Sequence, residues 1–166
     1  MSKLRLTLIV HLLFFAGWAG YLLFSHRSAD AIWLETIPVD PRDLISGNYV
    51  ALSFDTASKI PSCSTDRPSG TPVYVLYKKM DIVTKTEQGP IQLWTPTDCR
   101  YEMPKTEDEV WVEGRVENRR ILYGIERFYV SEGNDLRWAR SGDVVAKVAI
   151  NGKRQARILE LVKRSP

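Results

Sequence analysis

The sequence predicts a mainly β protein: an N-terminal transmembrane helix, then one antiparallel β domain, sandwich-like or a partly closed barrel, with a short helix. Three observations carry this. Leu4–Phe24 is an almost continuous apolar run, and the chain after it breaks into short segments rich in β-branched and aromatic residues, bounded by Gly, Pro, Asn and Asp. Near the C-terminus Asn151-Gly152 divides two such segments, the strongest short hairpin signal in the chain. The expected organisation is an anchor at 1–24, a linker at 25–31 and an extracytoplasmic β domain at 32–166.

The apolar run would reach about 31 Å as a helix, against a hydrocarbon core of about 30 Å. A cleavable signal peptide competes with this reading, because Lys3 and Arg5 form a basic n-region and the A-x-A-like Ala29-Asp30-Ala31 follows the run. Its apolar region would be shorter, so a retained anchor is expected. Lys3 and Arg5 outweigh Arg27 with its neighbour Asp30, which places the tail in the cytoplasm and the domain outside. Ala16, Gly17 and Gly20 form a small-residue patch on the run, suited to close approach of a second helix from another copy or a partner. His11 lies near the middle and is expected as a neutral, hydrogen-bonded imidazole.

In the domain, strands are expected at Ile32–Val39, Tyr49–Phe54, Val73–Tyr77, Ile82–Thr86, Ile91–Thr95, Val110–Val116, Ile121–Ile125, Arg127–Val130, Val144–Ile150 and Gln155–Val162. A loop fills 57–72, and a short helix is expected at Asn134–Arg140. Around Asn151-Gly152, a two-residue loop would pair Val148 with Gln155. A loop of Asn151–Lys153 would pair Val148 with Ala156 and Ala146 with Ile158, and burial favours this second register.

Composition excludes much chemistry. The chain carries a net charge of +3, but Lys3 and Arg5 belong to the flank of the apolar run, and the remainder is close to neutral. That is no nucleic-acid footprint. The last 30 residues are basic, which reads as a solvated sheet face. Only two histidines occur, His11 and His26, both in or beside the apolar run. The domain therefore has no Ser-His-Asp or Cys-His base, and Cys63 with Cys99 cannot make a zinc site alone. No P-loop or dinucleotide fingerprint occurs. No metal or cofactor is expected. In an exported domain, Cys63 and Cys99 are expected to form a disulfide.

Two enzyme readings survive: a Ser141–Lys147 dyad, and paired carboxylates drawn from Asp40, Asp43 and Glu126. The stretch Arg140–Val145 slightly resembles a segment of type I signal peptidases, but that family's Ser-Met-x-Pro motif is missing.

The stretch Val39–Phe54, with Asp40, Pro41, Arg42, Asp43 and Leu44 ahead of Gly47, Asn48, Tyr49 and Leu52, resembles the signature of the GDYXXLXY family of membrane-anchored bacterial proteins. Asn48 stands for the family's Asp and Phe54 for its last Tyr. A second block, Tyr123-Gly124-Ile125-Glu126-Arg127-Phe128-Tyr129-Val130-Ser131-Glu132-Gly133, resembles another segment of that family. The resemblance implies an inner-membrane protein with its domain on the periplasmic side, associated with another envelope or multi-spanning membrane protein. It implies no activity. Physically, Asp40–Asp43 suits a turn and Gly47 a positive φ. Arg42, Asp43, Glu126 and Arg127 are expected to join the two blocks as an ion-pair network or a partner-recognition surface. The leading expectation is a non-catalytic β module that positions another envelope protein. An envelope hydrolase and a homo-oligomeric component are the alternatives.

Overall fold

The computed structural model describes residues 3–25, 30–37, 49–54, 56–106, 108–131, 136 and 142–165. The elements are α1 (Lys3–Ser25), β1 (Asp30–Glu35), β2 (Tyr49–Ala51), a 3-10 turn at Ala57–Lys59, β3 (Pro72–Thr86), β4 (Gly89–Arg100), β5 (Val110–Glu117), β6 (Arg120–Leu122), β7 (Arg127–Tyr129), β8 (Val144–Ile150) and β9 (Ala156–Lys163).

The expected transmembrane helix at Leu4–Phe24 is overturned. Among the described residues, no helix is long and apolar enough to cross a membrane. The helix α1 runs over Lys3–Ser25 and opens with the charged residues Lys3 and Arg5. It also includes His11, whose Nδ1 bonds the Thr7 carbonyl one turn back at 2.8 Å. Every described side chain of α1 is exposed, Leu12, Phe14, Phe15 and Trp18 among them.

Seven strands form one sheet in the order β6-β5-β3-β4-β1-β8-β9, curled into a half-barrel, and β2 pairs with β7 in a separate two-stranded sheet. The sandwich alternative thus gives way to the barrel-like one. The sheet is not wholly antiparallel either, because β1 joins β4 in parallel at Leu34↔Trp94 while pairing β8 antiparallel from Asp30↔Ile150 to Glu35↔Val145.

Length and bulges produce the curl. Residues 73–77 and 82–86, expected as two strands, run as one strand whose pairing with β4 shifts between Leu76 and Tyr77 and between Lys79 and Val83. Such irregularities bend and coil a strand. The far end of β3 consequently meets the end of β9, where Thr86 bridges Arg164 and the Ser165 N–H donates to the Lys85 carbonyl at 3.1 Å.

Alternation divides the side chains between the two faces. Ile32 and Leu34 of β1, Val73 and Val75 of β3, Val112 and Val116 of β5, and Val144, Ala146 and Val148 of β8 fill the concave core. On the convex face Trp33, Ile91, Leu93, Val145 and Val162 make a smaller cluster. The concave core is capped by Val50, Leu52 and Phe54, with Phe128 packed against them. Thr36, 2% exposed, locks the end of β1: its hydroxyl donates to the Val144 carbonyl at 2.6 Å and accepts the Gly142 N–H at 2.8 Å.

The C-terminal hairpin adopts neither expected register. Ile150 lies opposite Ala156 and Val148 opposite Ile158, with a bulge after Lys147 that sets Ala146 opposite Leu161. The Asn151 side chain sets this longer loop by accepting the Lys153 and Gln155 N–H groups, each at 2.9 Å, while Arg154 takes a left-handed φ of 66°. The favoured register did place Val148 and Ile158 on one face, because it differs from the observed one by an even step. The helix expected at Asn134–Arg140 lies outside the described residues except for Leu136.

Cys63 and Cys99 form the expected disulfide, with Cα atoms 5.0 Å apart. It fastens the 57–71 loop to β4, and the Ser62 hydroxyl also accepts the Cys99 N–H at 3.2 Å.

Candidate functional site

The two sequence blocks meet. β2 comes from the first and β7 from the second, and they pair with Tyr49 opposite Tyr129, Val50 opposite Phe128 and Ala51 opposite Arg127. The Leu52 N–H then donates to the Glu126 carbonyl at 2.8 Å, and the Ile37 N–H to the Ser53 carbonyl at 2.9 Å, which ties the pair to the end of β1. Two segments more than seventy residues apart therefore form one small sheet lying over the concave core.

The pleat sorts the motif residues. Val50, 3% exposed, points into the core from the face shared with Phe128, and Leu52 and Phe54 are buried with it. Tyr49 and Tyr129 occupy the other face with ring centroids 6.0 Å apart, and the Arg127 guanidinium lies over the Tyr49 ring at 5.5 Å. Tyr129 is 69% exposed, so the outer face of this sheet presents two aromatic rings and a cation. Such amphipathic rings supply large contact area at low entropic cost when a partner covers them.

The rest of the second block has structural work. Tyr123 is buried, and the Tyr77 hydroxyl donates to its hydroxyl at 2.9 Å inside the half-barrel. Gly124 holds a φ of 78°, a conformation that suits glycine, where the chain turns away from β6. The Glu126 carboxylate accepts the Tyr123 N–H at 2.5 Å and so closes that turn.

Asp40, Pro41, Arg42, Asp43, Gly47 and Asn48 lie outside the described residues, as do Glu132 and Gly133. The expected four-residue charged cluster is therefore represented by Glu126 and Arg127, which part company: one lines a cleft, the other lies over Tyr49. Of the proposed dyad, Ser141 lies outside the described residues, and Lys147 Nζ is held over the Trp33 ring at 5.5 Å on the convex face. Ala16, Gly17 and Gly20 lie in α1, and the two glycines have open space around them. Among the described residues, no group of three His, Cys, Asp or Glu side chains is placed to hold a metal ion.

One feature escaped sequence reasoning. A cleft of about 470 Å³ opens where β6 ends, lined by Glu113, Arg115, Glu117, Tyr123, Glu126 and Gln155. It depends on Gly114: a Cβ there would sit 2.9 Å from Ile121 Cγ2 and 3.2 Å from Tyr123 Cδ1, so only glycine lets β6 and the following turn approach. At its far side the β8–β9 loop reaches across to β5, where the Glu113 N–H donates to the Arg154 carbonyl at 2.7 Å. No local periodicity announces such a contact, because it depends on how far the sheet curls.

Compared with known proteins, the chain matches one family model, described as GDYXXLXY protein, over residues 12–161. No curated protein and no solved structure matches.

Proposed function

The chain belongs to the GDYXXLXY family, and from that premise we propose that it is a binding module of the bacterial cell envelope, which recognises and positions another envelope or multi-spanning membrane protein. The observation that carries this reading is the outward face of β2–β7. Both sequence blocks contribute to it, and it presents exposed Tyr129 and Arg127 beside half-buried Tyr49, while Val50 and Phe128 turn to the core. Aromatic and arginine side chains are the ones that most often dominate binding energy at protein interfaces.

The compartment we propose is extracytoplasmic. The Cys63–Cys99 disulfide supports it, since such bonds persist mainly in oxidising surroundings. The exposed apolar side chains of α1 favour attachment to an apolar partner surface at the membrane.

The test is a pull-down from gently solubilised membranes with the full chain and its Tyr129→Ala variant. The reading expects one stoichiometric partner with the native chain and recovery reduced at least severalfold with the variant. Equal recovery, or no partner at all, would defeat it.

A further inference from the structure

The β8–β9 loop meets the edge of β5 through a main-chain hydrogen bond from the Glu113 N–H to the Arg154 carbonyl. We propose that this edge is a strand-addition site for an extended, arginine-bearing segment of a partner protein, and that Arg154 is its built-in competitor.

The geometry starts at the β5–β6 turn. Asn118 and Arg119 both have positive φ, 49° and 60°, so the hairpin closes through a two-residue turn with Glu117 opposite Arg120. In such a hairpin the closing pair is hydrogen-bonded, and the main-chain groups of every second residue, Arg115 and then Glu113, face the same edge. β6 covers that edge only as far as Leu122, opposite Arg115. Gly124 then turns the chain away and leaves the cleft.

Glu113 is the next position whose amide faces this gap, and Arg154 fills it. The Arg154 carbonyl accepts the Glu113 N–H, while its guanidinium donates from Nη1 to the Glu109 carbonyl at 3.0 Å and from Nη2 to the Thr106 carbonyl. One residue thus presents a main-chain carbonyl to the β5 edge and a guanidinium to the carbonyls of the segment just before β5. It does so from a left-handed backbone, a conformation an arginine rarely adopts.

The surroundings favour the same occupant. Of the charged side chains lining the cleft, Glu113, Glu117 and Glu126 outnumber Arg115. The volume of about 470 Å³ lies within the range of peptide- and ligand-sized sites. An extended cationic segment that displaces Arg154 would continue the track of β6 along β5, combining main-chain pairing with charge. The inference rests on the proposed function only in assigning the occupant to another protein; it uses a different surface from Tyr49 and Tyr129.

The experiment uses the full chain, its Arg154→Gly and Arg154→Lys variants, and fluorescent octapeptides: alternating Thr-Arg, alternating Thr-Glu, and a Thr-Arg peptide with a central proline that keeps the charge but cannot pair as a strand. Arg154→Gly relieves the left-handed strain and removes the guanidinium. Because occupation by Arg154 lowers the available fraction of sites, this variant is expected to bind the Thr-Arg peptide about tenfold more tightly than the native chain, with Arg154→Lys between them. Hydrogen exchange at the Glu113 amide should quicken in Arg154→Gly and slow again when the peptide is added. Equal binding of the proline peptide, or of the Thr-Glu peptide, would overturn the proposal, and so would a Glu113 amide unchanged by Arg154→Gly and by peptide. Tyr129→Ala should leave peptide binding intact, so failure of the partner reading and failure of this one register in separate measurements.

Discussion

Tyr49 and Tyr129, from segments distant in sequence, face each other across a two-stranded sheet with ring centroids 6.0 Å apart. Their neighbours Val50 and Phe128 turn the opposite way, onto the core. A single pleat therefore separates the residues that hold the two blocks together from those available to a partner.

This separation predicts opposite outcomes for two substitutions within one motif. Leu52→Ala removes a 3% exposed core side chain and should cost about 2–5 kcal/mol in urea denaturation. Tyr129→Ala removes a cross-strand pair at the surface and should cost about 0.2–1 kcal/mol while lowering partner recovery. Comparable stability losses for the two would contradict the assignment of faces.

Reduction of Cys63–Cys99 frees a loop spanned by a sequence separation of 36. The chain-entropy model gives a loss of about 3–4 kcal/mol, readable as a lower urea midpoint for the Cys63→Ser/Cys99→Ser double variant. An unchanged midpoint would mean that Ser62 and the surrounding packing hold the 57–71 loop to β4 unaided.

Gly114→Ala places a Cβ against Ile121 and Tyr123. Overpacking of this kind costs about 1–3 kcal/mol, and the thermal midpoint should fall accordingly. Hydrogen exchange should quicken first in β6, the element that has to move aside. Wild-type stability in this variant would show that β6 has more room than its geometry allows.

Thr36→Val keeps shape but removes a hydroxyl that serves two partners, the Val144 carbonyl and the Gly142 N–H. Leaving buried backbone groups without that partner should cost about 1–3 kcal/mol, with faster exchange at Gly142. A neutral result would imply that water reaches both groups.

Much of the β framework was legible locally. The near-continuous apolar run Val144–Ile150 marks a strand buried on both faces, Val110–Glu117 marks another, and the polar Glu117–Arg120 stretch marks the turn from β5 to β6, where two positive-φ residues fit. Cys63 and Cys99 were paired correctly, being the two cysteines of the chain. The Asn151 hairpin was placed correctly but misregistered, since its side chain stabilises a longer loop than the Asn-Gly pair suggests. The long apolar run suggested a membrane span, which needs an apolar helix of sufficient length and not merely apolar composition; among the described residues no helix meets that requirement.

By itself, then, the sequence determined the β character, most strand positions, the disulfide and the family, because these follow from side-chain chemistry within a few residues or from a matching pattern along the chain. Tertiary structure alone decided that the two blocks share a sheet, that Tyr49 and Tyr129 face outward while Leu52 is buried, and that Arg154 closes the edge of β5. Those outcomes depend on which elements the curled sheet brings together, and curvature accumulates over bulges and registers that no short stretch of sequence contains.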